Sequence, residues 1–146
     1  MTLPLDERFS TTLHGLAHLW RLELDRRLKD FGLGRAGWQA ISAIARAPEP
    51  MSQIEVSNLL GVEGATMVST LDRLEGAGFV KRIPSPTDRR VKHVALTDAG
   101  QALYGELKTI AAQYRQELLA DVSEDDLELV TRVLERLKNT IERPHR

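Results

Sequence analysis

The chain has no cysteine. That excludes disulfides, a thiolate nucleophile, a cysteine-based zinc site and a thiol redox sensor, and it suits a reducing compartment. No apolar run approaches the roughly 20 residues that a membrane span needs. Met1-Thr2-Leu3-Pro4-Leu5-Asp6-Glu7 lacks the basic start and apolar centre of a signal peptide, so a cytoplasmic location is expected. Internal repeats and low-complexity stretches are also missing. So are a nucleophile with a nearby base, a glycine-rich phosphate loop and a persuasive metal-ligand set. An enzyme is therefore not expected, nor a cofactor, nor a metal.

With 146 residues, 42% hydrophobic and 28% charged, the chain has the composition of one soluble globular domain, 1–146. Its net charge of -1 conceals a separation. Between Lys81 and His93 five basic residues face one acid, a balance of +4, whereas Asp98 to Val130 carries a balance of -6. Such a chain can turn a cationic surface to phosphate and its acidic part elsewhere.

Phe9, Leu13, Leu16, Trp20, Leu24 and Leu28 recur at helical spacing, which predicts a long amphipathic helix over 6–30, ended by Gly32 and Gly34. A second helix is expected over 35–47, with Trp38, Ile41 and Ile44 inward and Pro48 and Pro50 stopping it. Ser52-Gln53-Ile54-Glu55 reads as a capping box opening a short helix through Leu60. Gly61 can take the left-handed turn after it, and the next helix starts so soon that the two must cross steeply, a helix-turn-helix.

In that next helix, about Gly64 to Gly76, Met67, Val68, Leu71 and Leu74 are expected on a packing stripe, and Glu63, Thr66, Ser69, Thr70 and Arg73 on a polar one. Strands are expected at 79–83 and 91–96, joined by Pro84-Ser85-Pro86-Thr87-Asp88 in a basic hairpin. Thr97 would cap a long helix carrying Leu103, Leu107, Ile110, Tyr114 and Leu118. Ser123 would cap the last, with Leu127, Val130, Leu134, Leu137 and Ile141 along one side.

The order of helix, turn, polar-faced helix and basic hairpin points to duplex DNA. A major groove about 12 Å wide admits one helix, and short side chains let its backbone approach the base edges. Gly64, Ala65, Thr66, Ser69, Thr70 and Arg73 are the candidate groove residues. Arg90 would enter the neighbouring minor groove, extended by Asp88, while Lys81, Arg82, Arg89 and Lys92 would meet phosphates. A protein-docking module without DNA affinity is the alternative use of the same arrangement.

At Trp20-Arg21, Leu24-Asp25, Ser52-Gln53, Gly61-Val62-Glu63, Thr70-Leu71-Asp72-Arg73-Leu74-Glu75, Asp88-Arg89-Arg90 and Leu96-Thr97, the sequence resembles the MarR family, and within it the SlyA-like branch. The resemblance implies a mainly α fold with a small β-hairpin, of about six helices. It implies a winged helix-turn-helix lobe over 35–97 and a homodimer paired through helices in 5–32 and 98–146. It further implies a near-palindromic operator and release by a small aromatic acid or phenol. His14, His18, Arg21 and Trp38 are the candidate effector residues. One departure stands out: SlyA-like proteins commonly carry Arg where this chain has Ser69, so no operator sequence can be carried over.

Overall fold

The computed structural model describes residues 2–144. Helix α1 spans Leu5–Arg27, α2 Gly34–Arg46, α3 Gln53–Leu60, α4 Gly64–Gly76, α5 Asp98–Leu118 and α6 Glu124–Glu142. Three short strands, β1 at Met51–Ser52, β2 at Val80–Pro84 and β3 at Lys92–Leu96, form an antiparallel sheet in the order β1-β3-β2. This is the expected mainly α architecture with a small β wing. The chain divides into two compact units, Met1–Ala112 and Gln113–Arg146, with the boundary inside α5.

In the first unit the core gathers Ile41 of α2, Val56 of α3, Met67, Leu71 and Leu74 of α4, Val80 and Val94 of the sheet, and Leu103 and Leu107 of α5. Removing each of the larger of these side chains from water contributes roughly 1.5–3 kcal/mol. The helix-turn-helix closes as expected. The Ser52 hydroxyl accepts the Glu55 N–H at 3.1 Å. Gly61 sits at φ 63, so that its N–H reaches the Asn58 carbonyl and the Val62 N–H the Ser57 carbonyl, a pair of bonds that turns the chain after a helix.

Several expectations are corrected. Helix α1 stops at Arg27, and Lys29–Phe31 tightens into a 3₁₀ turn that leaves Leu28 buried. The amphipathic pattern of α1 itself stands, with no α1 residue buried and Phe9, Leu13 and Leu16 of its apolar stripe exposed. Phe79 belongs to the closure of α4, donating its N–H to the Leu74 carbonyl, so β2 begins at Val80 and runs through Pro84. Pro84 is tolerated because β2 is an edge strand and the proline is its last residue. The strand β1 went unforeseen, since two residues cannot display an alternation.

Helix α5 starts at a crowded junction. The Thr97 hydroxyl accepts the Gly100 N–H at 3.1 Å and donates to the Gly78 carbonyl at 2.5 Å. The Thr97 N–H reaches the Phe79 carbonyl at 3.1 Å. In the second unit, Ser123 caps α6 by accepting the Asp126 N–H at 3.1 Å, with Glu124, Asp125 and Asp126 in the first turn, where the helix dipole favours them. Leu127, Leu129, Val130, Leu137 and Ile141 of α6 are exposed.

At Gly100 an added Cβ would lie 2.0 Å from the Phe79 carbonyl oxygen. Gly100→Ala is therefore expected to lower stability by at least about 2 kcal/mol in thermal melting. Gly105→Ala, in the same helix with nothing within 4 Å of the added carbon, is expected to raise it by about 0.5–1 kcal/mol.

Candidate nucleic-acid interface

The rotation of α4 about its own axis decides which of its residues can be read from outside. Met67, Thr70, Leu71 and Leu74 are buried, whereas Gly64, Ala65, Thr66, Val68, Ser69, Asp72 and Arg73 are exposed. Thr70 was expected on the polar stripe and Val68 on the packing stripe, and the structure exchanges them. Thr70 lies three residues after Met67 and four before Leu74, so it falls inside the apolar arc. Its hydroxyl is satisfied within the helix, donating to the Thr66 carbonyl at 2.8 Å. Val68 is turned out beside Gln53, Ile54 and Asn58 of α3, lining a shallow groove of about 300 Å³.

The tip of the β2–β3 hairpin is ordered by its own hydrogen bonds. Val91 N–H reaches the Asp88 carbonyl at 3.0 Å, which places Arg89 and Arg90 at the two central positions of a turn. The Asp88 carboxylate accepts the Arg90 backbone N–H at 3.0 Å and its Nε–H at 3.3 Å. Ser85, buried at the base of the loop, accepts the Thr87 N–H at 3.3 Å and donates its own N–H to the Val91 carbonyl at 2.8 Å. The Arg90 side chain nevertheless stands 92% exposed. An ion pair so open adds little stability, so what Asp88 does for Arg90 is to orient it. Arg89 beside it in the turn and Lys92 at the start of β3 are exposed, as is Lys81 farther along β2, opposite Ala95.

Arg82 faces the protein. Expected at a phosphate, its side chain is 16% exposed and committed to the protein. Its Nε–H donates to the Gln53 side-chain oxygen at 2.5 Å, and its guanidinium pairs with Asp72 at 2.8 Å and Glu75 at 3.2 Å.

The candidate effector residues split in a similar way. His14, His18, Arg21 and Asp25 follow one another at spacings of four, three and four, which puts them on one face of α1. Both histidines and Arg21 are exposed. The Asp25 carboxylate accepts the Trp38 indole N–H at 2.8 Å and the Arg35 Nε–H at 2.8 Å, joining α1 to α2. Burial opposes the charge on Asp25, but the hydrogen bonds from Arg35 and Trp38 and the nearby Arg35 and Arg21 charges outweigh it and hold the carboxyl below its ordinary value. Trp38 also borders an open groove of about 920 Å³ with Ser42, Arg46, Met51, Leu59 and His93; His14, His18 and Arg21 do not line it. Sequence reasoning missed Asp25 and Arg35 as members of this cluster, although Asp25 continues the histidine stripe.

This geometry can be set beside known proteins. A family model described as MarR family matches residues 31–91. The crystal structure of the transcriptional regulator PA3341 is 37% identical, covers 92% of this chain and 98% of its own, and superposes with a TM-score of 0.83. The chain belongs to the MarR family. MarR from E. coli in its apo form is 24% identical over 94% of this chain and 98% of its own, with a TM-score of 0.78. The transcriptional regulator SlyA is 19% identical over 91% and 93%, with a TM-score of 0.77. These last two likenesses establish the fold alone. This MarR-family member is thus a transcriptional regulator by family, and no helix among its described residues is long and apolar enough to cross a membrane.

Because the Asp25 carboxyl is held low, its contribution to stability is present above its ordinary value near 3.8 and is lost as pH falls through the lowered one. Denaturant titrations are expected to find Asp25→Asn less stable than the parent at neutral pH. The difference should shrink steadily below about pH 4.

Proposed function

We infer that the protein is a sequence-specific double-stranded DNA-binding transcriptional regulator, acting in the cytoplasm as a homodimer on a near-palindromic operator. The observation that carries this reading is the Arg90 side chain, almost fully solvated, with one Asp88 carboxylate oxygen accepting both its backbone N–H and its Nε–H. A turn that spends its hydrogen bonds on aiming a guanidinium outward is built for an external anion. Arg90 takes the minor groove, where narrow A·T stretches concentrate negative potential. Ala65, Thr66, Ser69 and Arg73, with the start of α4 at Gly64, take the major groove. Lys81, Arg89 and Lys92 meet phosphates, contributing affinity and not sequence discrimination. The Asp88-to-Arg90 tip followed by Leu96-Thr97 favours the SlyA-like branch.

The lobe over 35–97 is the reading head, and helices in 5–32 and 98–146 are the dimer frame. The exposed leucines of α1 and the exposed apolar residues of α6 support this division, since contiguous apolar surface is rarely left in water. Two-fold symmetry then sets the half-sites about one helical turn apart. A small aromatic or phenolic ligand near His14, His18, Arg21 and Trp38 modulates binding, because the Asp25 links make that end of α1 continuous with the lobe. A coupling of about 1–3 kcal/mol suffices.

Arg90→Ala is expected to weaken binding to a duplex selected from a random pool by roughly 10- to 100-fold at moderate salt, with melting temperature and sedimentation as a dimer unchanged. Full affinity in that variant, or no duplex affinity for the parent at any salt, would refute the reading and leave a protein-docking module. Titration with benzoate and with phenol, followed by fluorescence of the tryptophans and by release from DNA, checks the effector assignment. Absence of both signals would remove it.

A further inference from the structure

We propose that Arg82 is a positioning residue that clamps the wing to the reading helix and cancels two carboxylates on that helix, and that it gives nothing to phosphate. The proposal rests on the DNA reading above for its consequence, though the clamp itself can be tested without DNA.

Arg82 sits opposite Val94 in the β2–β3 ladder, on the edge strand of the sheet. Its backbone N–H leaves the sheet and donates to Glu75 at 3.0 Å, so α4 closes the open edge at that point. A guanidinium has five N–H donors in a planar fork. Here Nε–H goes to Gln53 of α3, Nη1 to Glu75, and Nη2 to Asp72 at 2.8 Å and to the Val68 carbonyl at 3.3 Å. One side chain therefore joins the helix before the turn, the helix after it and the wing strand. A lysine ammonium could hold one of these partners but lacks the fork to hold them together.

The electrostatic consequence is as definite as the mechanical one. Asp72 and Glu75 stand 62% and 44% exposed, on the helix that enters the groove. Left alone they would repel a polyanion along its most closely approached surface. With Arg82 between them the local charge falls from two negatives to one. The basic residues of the hairpin are thus of two kinds, those exposed to an outside anion and one consumed inside.

The test compares the parent with Arg82→Gln, with Asp72→Asn/Glu75→Gln and with the triple variant. Each is titrated with the best duplex selected by the parent from a random pool, over a range of salt, and melted without DNA. Arg82→Gln is expected to lose at least 10-fold in affinity with an unchanged slope of log affinity against log salt. Removing the two carboxylates in that background is expected to restore most of the loss. A slope that falls by about 0.9, with no restoration, would mark Arg82 as a phosphate ligand and overturn the proposal.

In melting, the paired neutral substitutions are expected to lower the midpoint of the parent and raise that of Arg82→Gln. Additive shifts would dismiss the clamp. Should the glutamine variant fail to fold, Arg82→Lys keeps the charge and loses the fork, and is expected to lose several-fold in affinity. Undiminished binding by the lysine variant would show that the charge alone suffices and overturn the clamp. A parent without duplex affinity would overturn the regulator reading alone, while the melting comparison still decides the clamp.

Discussion

Helix α4 has two duties that compete for the same thirteen residues. Its inner arc, Met67, Leu71 and Leu74, completes the core against Ile41, Val56, Val80 and Val94. Whatever remains outside is all that it can offer a partner. Turning the helix by one residue, about 100°, would expose side chains whose burial is worth several kcal/mol in total. The core therefore sets the exposed surface of the helix, and the choice of outward residues follows from the choice of inward ones. Thr70 shows the strength of this constraint: a polar residue is drawn into the apolar arc because its neighbours three and four residues away are there, and its hydroxyl settles for the carbonyl of Thr66.

What could be read from the sequence is what is decided locally. The Ser52 cap, the Gly61 turn, the Thr97 and Ser123 caps and the Asp88-to-Arg90 tip each span no more than about five residues, and each was legible. The residues on the borders of α4's stripes were not. Val68 and Thr70 lie at the edges of an arc whose width depends on what packs against it, and that information is tertiary. The same is true of β1, which exists only because Met51 and Ser52 meet Val94 and His93. Arg82 and Gln53 are 29 positions apart, and Asp25 and Trp38 thirteen. No periodicity relates such pairs, so a basic residue with internal partners looks the same in sequence as one facing solvent.

That distinction governs how charge should be counted in this chain. The stretch from Lys81 to His93 has a balance of +4, but Arg82 already answers Asp72 and Glu75, which lie outside the stretch. The cation on offer to a partner is correspondingly smaller and more sharply localised at the hairpin tip. Arg90 also has a carboxylate beside it, yet Asp88 uses an open, weak pair that leaves the guanidinium in water, whereas Arg82 is held from several directions. Exposure of 92% against 16% separates an arginine that is aimed from one that is spent.

The long helices meet the lobe through hydrogen bonds at defined points. Asp25 ties α1 to Arg35 and Trp38 of α2, and Thr97 ties the start of α5 to the Gly78 and Phe79 carbonyls just after α4. At the second point there is no slack, because the Phe79 carbonyl occupies the space a side chain at position 100 would need. A displacement of the first turn of α5 must then be passed to the end of α4 and the start of β2, where Arg82 takes hold of α4 again through Asp72 and Glu75. Helix α4 and the wing are thereby tied to each other and to the start of α5 by hydrogen bonds and ion pairs at both ends of the connection between them.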